Sequence, residues 1–357
     1  MSLDIVIIGL TLSSSWGNGH ATTYRALLRG LAAEGHRVLF LERDVPWYAA
    51  NRDLPEPDFC DLRLYGSASD LTGRWAARLR SADAVIIGSY VPEGREVIDA
   101  VAALGPRLLC FYDIDTPVTM DLLDRREEEF LAARQVPRFD IYFSFSGGEV
   151  LRHLEESRGA REACALYCSV DPEYYRPLPV EPQWDLGYLG TYSPDRQPTL
   201  EALLIEPARR LPGRRFVVAG PSYPDGIDWP ANVERIEHLA PGDHAAFYSS
   251  QRYTLNVTRA AMRRMGWSPS VRLFEAAACG VPVISDEWRG LDELLPDGEA
   301  ILIASTPEDV VRILEAGEGV RQSIGRAARA RVLKDHTGQA RALELVEALR
   351  RQTVRAA

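Results

Sequence analysis

A length of 357 residues exceeds what one hydrophobic core usually supports, so two domains of ordinary size are expected. Apolar residues make up 46% of the chain and charged residues 26%, as in folded globular proteins. The formal charge of −10 excludes a broad basic surface for nucleic acid or anionic lipid, so an anion site must be local.

The first residues predict a strand and not a targeting segment. No basic stretch precedes the apolar run from Ile5 to Leu10, and no apolar run reaches membrane-spanning length. We therefore expect a cytoplasmic protein without integral membrane contact. The five cysteines, an odd number, agree with a reducing compartment, and the Cys164/Cys168 pair lacks the second Cys/His pair of a zinc site.

Residues 1–170 alternate between strand and helix signals, which predicts a Rossmann-like domain with a parallel sheet. The predicted strands are short and almost continuously apolar: residues 4–10, 37–42, 84–88, 107–112, 140–145 and, more weakly, 163–168. The predicted helices are residues 19–34 and 92–104.

Residues 171–182 are the predicted linker, because four prolines between Asp171 and Gln183 prevent a helix or a central strand. The same alternation returns in residues 183–335, the predicted second Rossmann-like domain, with a final helix, 336–357, that is expected to pack back on the first. Two doubly wound α/β domains of this kind predict a ligand site in a cleft at the carboxyl ends of their strands.

The strongest motif is SVRLFEAAACGVPVI, from Ser270 to Ile284, whose pattern indicates a helix, a glycine stop and a buried strand. Ser268 or Ser270 can cap the helix. The amides from Ser270 through Val271 to Arg272 then form an anion site of the kind that helix starts provide.

Glu275 lies among small apolar residues of this helix, where an unpaired carboxylate is costly to bury. It can accept hydrogen bonds from two ribose hydroxyls or pair with Arg272 three residues earlier, and the spacing leaves both open. Arg196, Arg259 and Arg272, each beyond a predicted strand or at a helix start, are candidates for phosphate contacts.

EAAACGVPVIS, from Glu275 to Ser285, resembles the donor-site signature of GT-B glycosyltransferases. SPSVRLFEAAACG is similar to the CgeB-like (spore maturation protein type) branch, and the likeness extends in order over the segments YLGTY, VVAG and LNVT. The resemblance implies a GT-B fold of two Rossmann-like domains. It also implies metal-independent transfer from a nucleotide-diphosphate sugar, UDP- or dTDP-type, to a small-molecule or glycan acceptor, without a separate cofactor.

The same resemblance implies that Glu275 binds the donor ribose. Donor contacts are expected from residues that lie in or beside the matched segments: Gly190, Thr191, Tyr192, Arg196, His238, Arg259, Ser270, Val271 and Arg272. Many retaining members carry a second Glu seven residues upstream of Glu275, where this chain has Ser268, so the stereochemistry stays open.

The loop SSSWGNGH, ending at His20, joins the first strand to the first helix, and Thr22 stands where a dinucleotide fingerprint needs its third glycine. The resemblance matches this loop to the glycine-containing loop of GT-B enzymes, which implies donor contacts by Gly17 and Gly19. His20 is a candidate general base for inverting transfer, and the alternative is a structural histidine at a helix start.

Asp113 and Asp115 follow an apolar strand and are expected at the edge of the sheet. Because Thr116-Pro117 comes next, one aspartate is expected to cap a helix and the other to position the acceptor or assist the base, in an order that the spacing does not give. Metal binding is disfavoured, because the flanking sequence differs from that of DxD enzymes.

Three other functions fit parts of the sequence. A nucleotide-sugar epimerase would share the donor site, and a non-catalytic nucleotide-sugar-binding protein would explain Ser268. An NAD-dependent dehydrogenase is weaker, because only Glu42 fits its ribose-binding acid.

Overall fold

The computed structural model describes residues 2–16 and 19–356, except for the side chain of Ala356, and forms two compact units. The first unit consists of Met1–Ser169 with Gly338–Ala357, and the second of Val170–Thr337. Residues 171–182, the predicted linker, lie in the second unit and form neither helix nor strand.

The described part of the first unit contains a seven-stranded parallel sheet in the order β3-β2-β1-β4-β5-β6-β7. Its strands are β1 (Asp4–Gly9), β2 (Arg37–Arg43), β3 (Asp61–Tyr65), β4 (Ala84–Gly88), β5 (Leu109–Asp113), β6 (Ile141–Ser144) and β7 (Ala163–Ala165). Its helices, besides a 3₁₀ turn at Ala133–Arg138, are α1 (His20–Ala33), α2 (Pro46–Ala49), α3 (Ala68–Thr72), α4 (Ala76–Ser81), α5 (Gly94–Ala103), α6 (Thr116–Asp124) and α7 (Glu149–Arg158).

The described part of the second unit contains a six-stranded parallel sheet in the order β10-β9-β8-β11-β12-β13. Its strands are β8 (Trp184–Leu189), β9 (Phe216–Ala219), β10 (Val233–Ile236), β11 (Gln251–Asn256), β12 (Val283–Ser285) and β13 (Leu302–Ile303). Its helices, besides a π turn at Glu201–Ile205 and a 3₁₀ turn at Pro241–Asp243, are α8 (Gln197–Leu200), α9 (Glu206–Arg210), α10 (His244–Ser249), α11 (Ala260–Met265), α12 (Val271–Ala278), α13 (Leu291–Leu294), α14 (Pro307–Glu315) and α15 (Glu318–Asp335).

The strand order reverses direction once in each sheet, between β1 and β4 in the first and between β8 and β11 in the second. Loops that follow the two strands at such a switch point run in opposite directions and leave room for a ligand between them. Each sheet therefore has one position, at the carboxyl ends of these strands, where a site is expected.

The last helix, α16 (Gly338–Ala356), belongs to the first unit and packs closely on α1. A Cβ atom at Gly30 would lie 2.4 Å from the carbonyl oxygen of Gly338, so only glycine allows this approach. Ala342, Leu345 and Leu349 of α16 join the buried core of this unit.

The predicted α/β fold class, with two doubly wound parallel sheets, is confirmed. The prediction missed the edge strand β3, because only Tyr65 of its five residues is buried and its apolar alternation is short. It also missed α7 and the short helices α2, α3 and α4, whereas α6 begins at Thr116, where a helix was expected. Within the described residues, no helix has the length and apolar character needed to cross a membrane.

Candidate functional site

Arg272 connects the two strands at the switch point of the second sheet. Its Nε donates a hydrogen bond to the carbonyl oxygen of Leu189 at the end of β8, at 2.5 Å, and its Nη1 donates to Asn256 Oδ1 at the end of β11, at 3.1 Å. The guanidinium carbon also lies 5.0 Å from the centre of the Tyr188 ring, in cation–π range. These contacts fix a positive charge where the fold favours ligand binding.

The loop after β8 is shaped around this guanidinium. A Cβ at Gly190 would lie 2.6 Å from the Tyr188 hydroxyl and 3.0 Å from Arg272 Nη2, so a side chain there would displace one of them. The carbonyl oxygen of Thr191 accepts a hydrogen bond from Arg196 Nη2 at 2.6 Å. Tyr192 packs edge-on against Tyr223 at 5.5 Å.

Arg196 lies near enough to Arg259 and Arg272 to experience electrostatic repulsion from both. Burial, followed by the positive charges of Arg272 and Arg259, lowers the pKa of Arg196, which is 9% exposed. The Nε of Arg196 has no hydrogen-bond partner among the described residues. No described carboxylate forms an ion pair with any of these three arginines, so the cluster has positive charge available for an anion.

Helix α12 begins beside the arginines and its first turn is not capped by a side chain. Ser270 Oγ instead donates to Asn256 Oδ1 at 2.8 Å, and Ser268 Oγ donates to the carbonyl oxygen of Gly266. The prediction that a serine hydroxyl caps this helix is therefore wrong, because no side-chain oxygen accepts a hydrogen bond from the first-turn amides of α12. The amides of Val271 and Arg272 in the first turn are thus left to bind another acceptor.

Glu275 is held by Tyr248 and not by Arg272. The Tyr248 hydroxyl donates to Glu275 Oε2 at 3.1 Å, and Tyr175, whose hydroxyl shares a hydrogen bond with His244 Nδ1 at 3.3 Å, lies close by. Burial and the Glu275 charge raise the pKa of both tyrosines. The described contacts contain no ion pair between Arg272 and Glu275, so that alternative is not realised. A carboxylate has acceptor capacity beyond two bonds, and this one is 7% exposed.

The remaining predicted donor residues are placed less centrally. Arg259 is exposed at the start of α11, and His238 is exposed beyond the edge strand β10, two strands away from β8. Sequence reasoning missed Asn256, which accepts from both Ser270 and Arg272, although it lies in the matched LNVT segment. It also missed Tyr248 and Tyr175, for which the sequence holds no comparable signal.

In the first unit, Glu42 fixes the loop that follows β1. Its carboxylate is fully buried and accepts bonds from the Leu12 and Ser13 amides, at 2.7 and 2.9 Å, and from the Ser13 hydroxyl at 2.6 Å. With these partners it is not available to a cofactor ribose, which removes the one residue that fitted a dehydrogenase. Gly17 lies outside the described residues, and Gly19 precedes α1 with an ordinary φ of −87°.

His20 lies at the switch point of the first sheet. Its ring packs edge-on against Tyr90, which follows β4, with the ring centres 5.4 Å apart. Burial lowers the pKa of His20 to about 4, so the imidazole is neutral at physiological pH. Tyr90 has a left-handed φ of 60°, a strained conformation for an aromatic residue that often marks functional positions. Sequence reasoning missed it.

Asp113 and Asp115 take different roles from those expected. Asp113 is fully buried, and its carboxylate accepts bonds from Tyr142 at 2.6 Å and Thr119 at 2.7 Å. Asp115 stands at the N-terminal cap of α6, but its side chain makes no capping bond and is half-buried. The prediction that an aspartate side chain caps this helix is thus wrong. Among the described residues, no group of three or more His, Cys, Asp or Glu side chains is arranged to hold a metal ion.

The chain is similar to one protein family in sequence and to solved structures in fold. Residues 196–347 match the model of a family described as glycosyl transferase-like, a segment that includes Arg196, Arg259, Arg272 and Glu275. This segment is therefore similar to that family over less than half of the chain. No curated protein matches its sequence.

Three solved structures illustrate the fold similarity. Sucrose-phosphate synthase from Thermosynechococcus elongatus is 15% identical with a TM-score of 0.68, covering 99% of this chain and 100% of its own. HepE from Anabaena in complex with UDP is 14% identical with a TM-score of 0.70, covering 97% and 99%. An alpha-glucosyltransferase in complex with UDP and a 13-mer DNA is 13% identical with a TM-score of 0.65, covering 98% and 100%. The GT-B prediction is confirmed, and the glycosyltransferase prediction is borne out at the level of this domain and fold.

Asp113 gives a test of the first unit's structure. Burial raises its pKa from 3.8 to about 6, so at pH 5 the folded protein holds a proton that the unfolded chain has released. Wild-type stability should therefore fall as the pH rises from 4 to 6, by up to about 3 kcal/mol for a shift of this size. We expect Asp113→Asn to remove this part of the slope in urea unfolding between pH 4 and 7. The same slope in both proteins would show that Asp113 is ionised in the fold.

Proposed function

We propose that this protein transfers a sugar from a UDP- or dTDP-type nucleotide sugar to a hydroxyl group of a small-molecule or glycan acceptor. One observation carries the proposal: Arg272 and Arg196, which form no ion pair with a described carboxylate, lie at the switch point of the second sheet beside the uncapped start of α12, with Arg259 exposed nearby. A diphosphate is the anion that suits this arrangement, because it offers several oxygens to guanidinium and amide donors together.

The phosphates are assigned to Arg272, Arg196 and the amides of the first turn of α12. Arg272 is already held by Leu189 and Asn256, so its side chain loses little conformational entropy when it binds a phosphate. When the sugar–phosphate bond breaks, negative charge develops on the leaving diphosphate, and fixed positive groups stabilise it. Metal-independent transfer is proposed on this basis.

The ribose is assigned to Glu275, one turn further along α12. Tyr248 holds the carboxylate, which leaves its remaining lone pairs for two adjacent hydroxyls. The structural neighbour HepE was solved with UDP, which supports a uridine-type donor. His238 and the loop residues Gly190 to Tyr192 stay predicted donor contacts.

The acceptor side is assigned to the first unit. His20 is proposed as the base of an inverting reaction, since a neutral imidazole at the switch point can accept a hydroxyl proton. Asp115 is preferred to Asp113 for acceptor positioning, because Asp113 is enclosed by Tyr142 and Thr119. Ser268 is 2% exposed, in the position where retaining members carry a glutamate, and this favours inversion.

Other assignments stay predictions: the CgeB-like branch, the cytoplasmic location, the boundaries at residues 170 and 183, and the absence of nucleic acid partners. The DNA in one structural neighbour belongs to that protein, whereas the charge of −10 here argues against a polyanionic acceptor. A non-catalytic nucleotide-sugar-binding protein would use the same donor residues. Turnover separates it from the proposed enzyme.

Substitutions in α12 should separate phosphate from ribose binding. We expect Arg272→Ala to weaken both UDP and inorganic pyrophosphate by about 10- to 100-fold, as for loss of a charged hydrogen bond of about 1.5–3 kcal/mol. Glu275→Ala should weaken UDP by about tenfold and leave pyrophosphate unchanged, because pyrophosphate has no ribose. Titration calorimetry measures all four affinities.

Arg312→Ala is the matched control, since this arginine of α14 is exposed and pairs only with Asp309 among the described residues. It should bind UDP like wild type. Equal losses for Arg272→Ala and Arg312→Ala would contradict a specific phosphate site. Unchanged UDP affinity in Glu275→Ala would remove the ribose assignment.

Substitutions at His20 test the acceptor side. His20→Gln keeps a polar side chain of similar size but has no basic nitrogen, so UDP affinity should stay at the wild-type value. Transfer from UDP-glucose should fall by about 10²- to 10⁴-fold, as for loss of a general base. Transfer is measured as labelled glucose in the product. UDP affinity is measured by calorimetry. Transfer within a few-fold of wild type would exclude His20 as the base.

A further inference from the structure

Two tryptophans of the first unit are exposed at the same edge of the sheet. Trp16, in the loop after β1, is 56% exposed, and Trp47, in α2 after β2, is 52% exposed, whereas the other five are buried or half-buried. The strands β1 and β2 are neighbours in the sheet, so both rings belong to its carboxyl edge. An exposed indole offers a large apolar surface with one polar N–H, a combination that is enriched at binding interfaces.

The backbones that carry the two rings are tied together by Asn51. The Ser14 hydroxyl donates to the carbonyl oxygen of Asn51 at 2.7 Å and accepts from the Trp16 amide at 3.3 Å. The Asn51 side-chain amide donates to the carbonyl oxygen of Trp47 at 2.7 Å. The backbones of Trp16 and Trp47 therefore belong to one hydrogen-bonded network.

An ionic clamp holds the same loop. Asp53 accepts bonds from the Ser15 amide and hydroxyl, and Arg25 binds both of its carboxylate oxygens at 2.8 Å. Arg25 Nε also donates to the carbonyl oxygen of Leu12 at 3.0 Å. The loop is thus fixed on both sides of Ser13, which Glu42 already binds, and little entropy is lost when a ligand covers the indoles.

Polar groups surround the indoles. Asn51 is exposed, and Arg52 and Asp44 form a half-exposed ion pair at 2.6 Å directly beside it. An apolar surface with carboxylate, amide and guanidinium groups at its border matches a pyranose ring, which has an apolar C–H face and hydroxyls around its rim.

We propose that Trp16 and Trp47 form a carbohydrate subsite that stacks on a pyranose ring of the acceptor, so that the acceptor is a glycan or a glycoside. This proposal names the acceptor class of the proposed function and depends on it for the reaction. Sugar binding at the two tryptophans is measurable without any transfer.

Saturation-transfer NMR with methyl glucoside, methyl galactoside and methyl mannoside tests the subsite. We expect saturation on the ring C–H protons of at least one hexoside in wild type, and about a tenfold weaker affinity in Trp16→Ala and in Trp47→Ala. Trp47→Phe should keep part of the affinity. Tyr174→Ala removes an exposed aromatic ring of the second unit and should leave hexoside binding unchanged.

Three outcomes would overturn the subsite. They are no saturation of any hexoside, hexoside affinity unchanged in both alanine variants, or saturation only of p-cresol, an aromatic compound that is not a sugar and serves as the comparison ligand. UDP affinity, measured by calorimetry in the same proteins, should be unaffected by either tryptophan. Absence of UDP binding in wild type would overturn the proposed function but not the sugar subsite. The two failures are therefore distinguishable.

Discussion

The hydrogen bonds of Arg272 to Leu189 and Asn256 connect the carboxyl ends of β8 and β11, and the candidate donor site is arranged around them. Asn256 also accepts from Ser270, which leaves the first turn of α12 without a side-chain cap. Gly190 leaves the space that the guanidinium occupies. One arginine thus determines where positive charge, helix amides and the loop after β8 come together.

The first unit fixes the loop after β1 in a similar way, with a buried carboxylate, Glu42, and an exposed one, Asp53, that accept bonds from backbone amides. Glu42 and Asp53 hold the segment from Leu12 to Ser15, and no ligand is needed to order it. A buried carboxylate such as Glu42 keeps its position strongly, because loss of its hydrogen-bond donors would leave a buried and unpaired charge. Arg25 lowers the pKa of Asp53 further, chiefly through its hydrogen bonds. Rigid loops of this kind suit binding residues such as Trp16 and His20.

Much of the fold was predictable because buried parallel strands are short apolar runs, and almost all of those runs are strands in the structure. The edge strand β3 escaped because it is mostly exposed. In the candidate site, the motif predicted Arg272 and Glu275, but it did not predict the residues that hold these two side chains. Tyr248 donates to Glu275 from 27 residues away along the chain, and such contacts leave no pattern in sequence spacing. The expectation that an aspartate side chain caps α6 was wrong for a related reason, since spacing does not show which donors each carboxylate meets; the roles of Asp113 and Asp115 toward the acceptor stay predictions.

The most direct test of the central claim is a crystal structure of the protein with UDP. The β-phosphate oxygens should lie about 3 Å from the Arg272 guanidinium and from the first-turn amides of α12. The ribose hydroxyls should lie within hydrogen-bond distance of Glu275, with Tyr248 still bound to the carboxylate. UDP bound away from α12, or bound there with its phosphates remote from Arg272, would contradict the assignment of this switch point as the donor site.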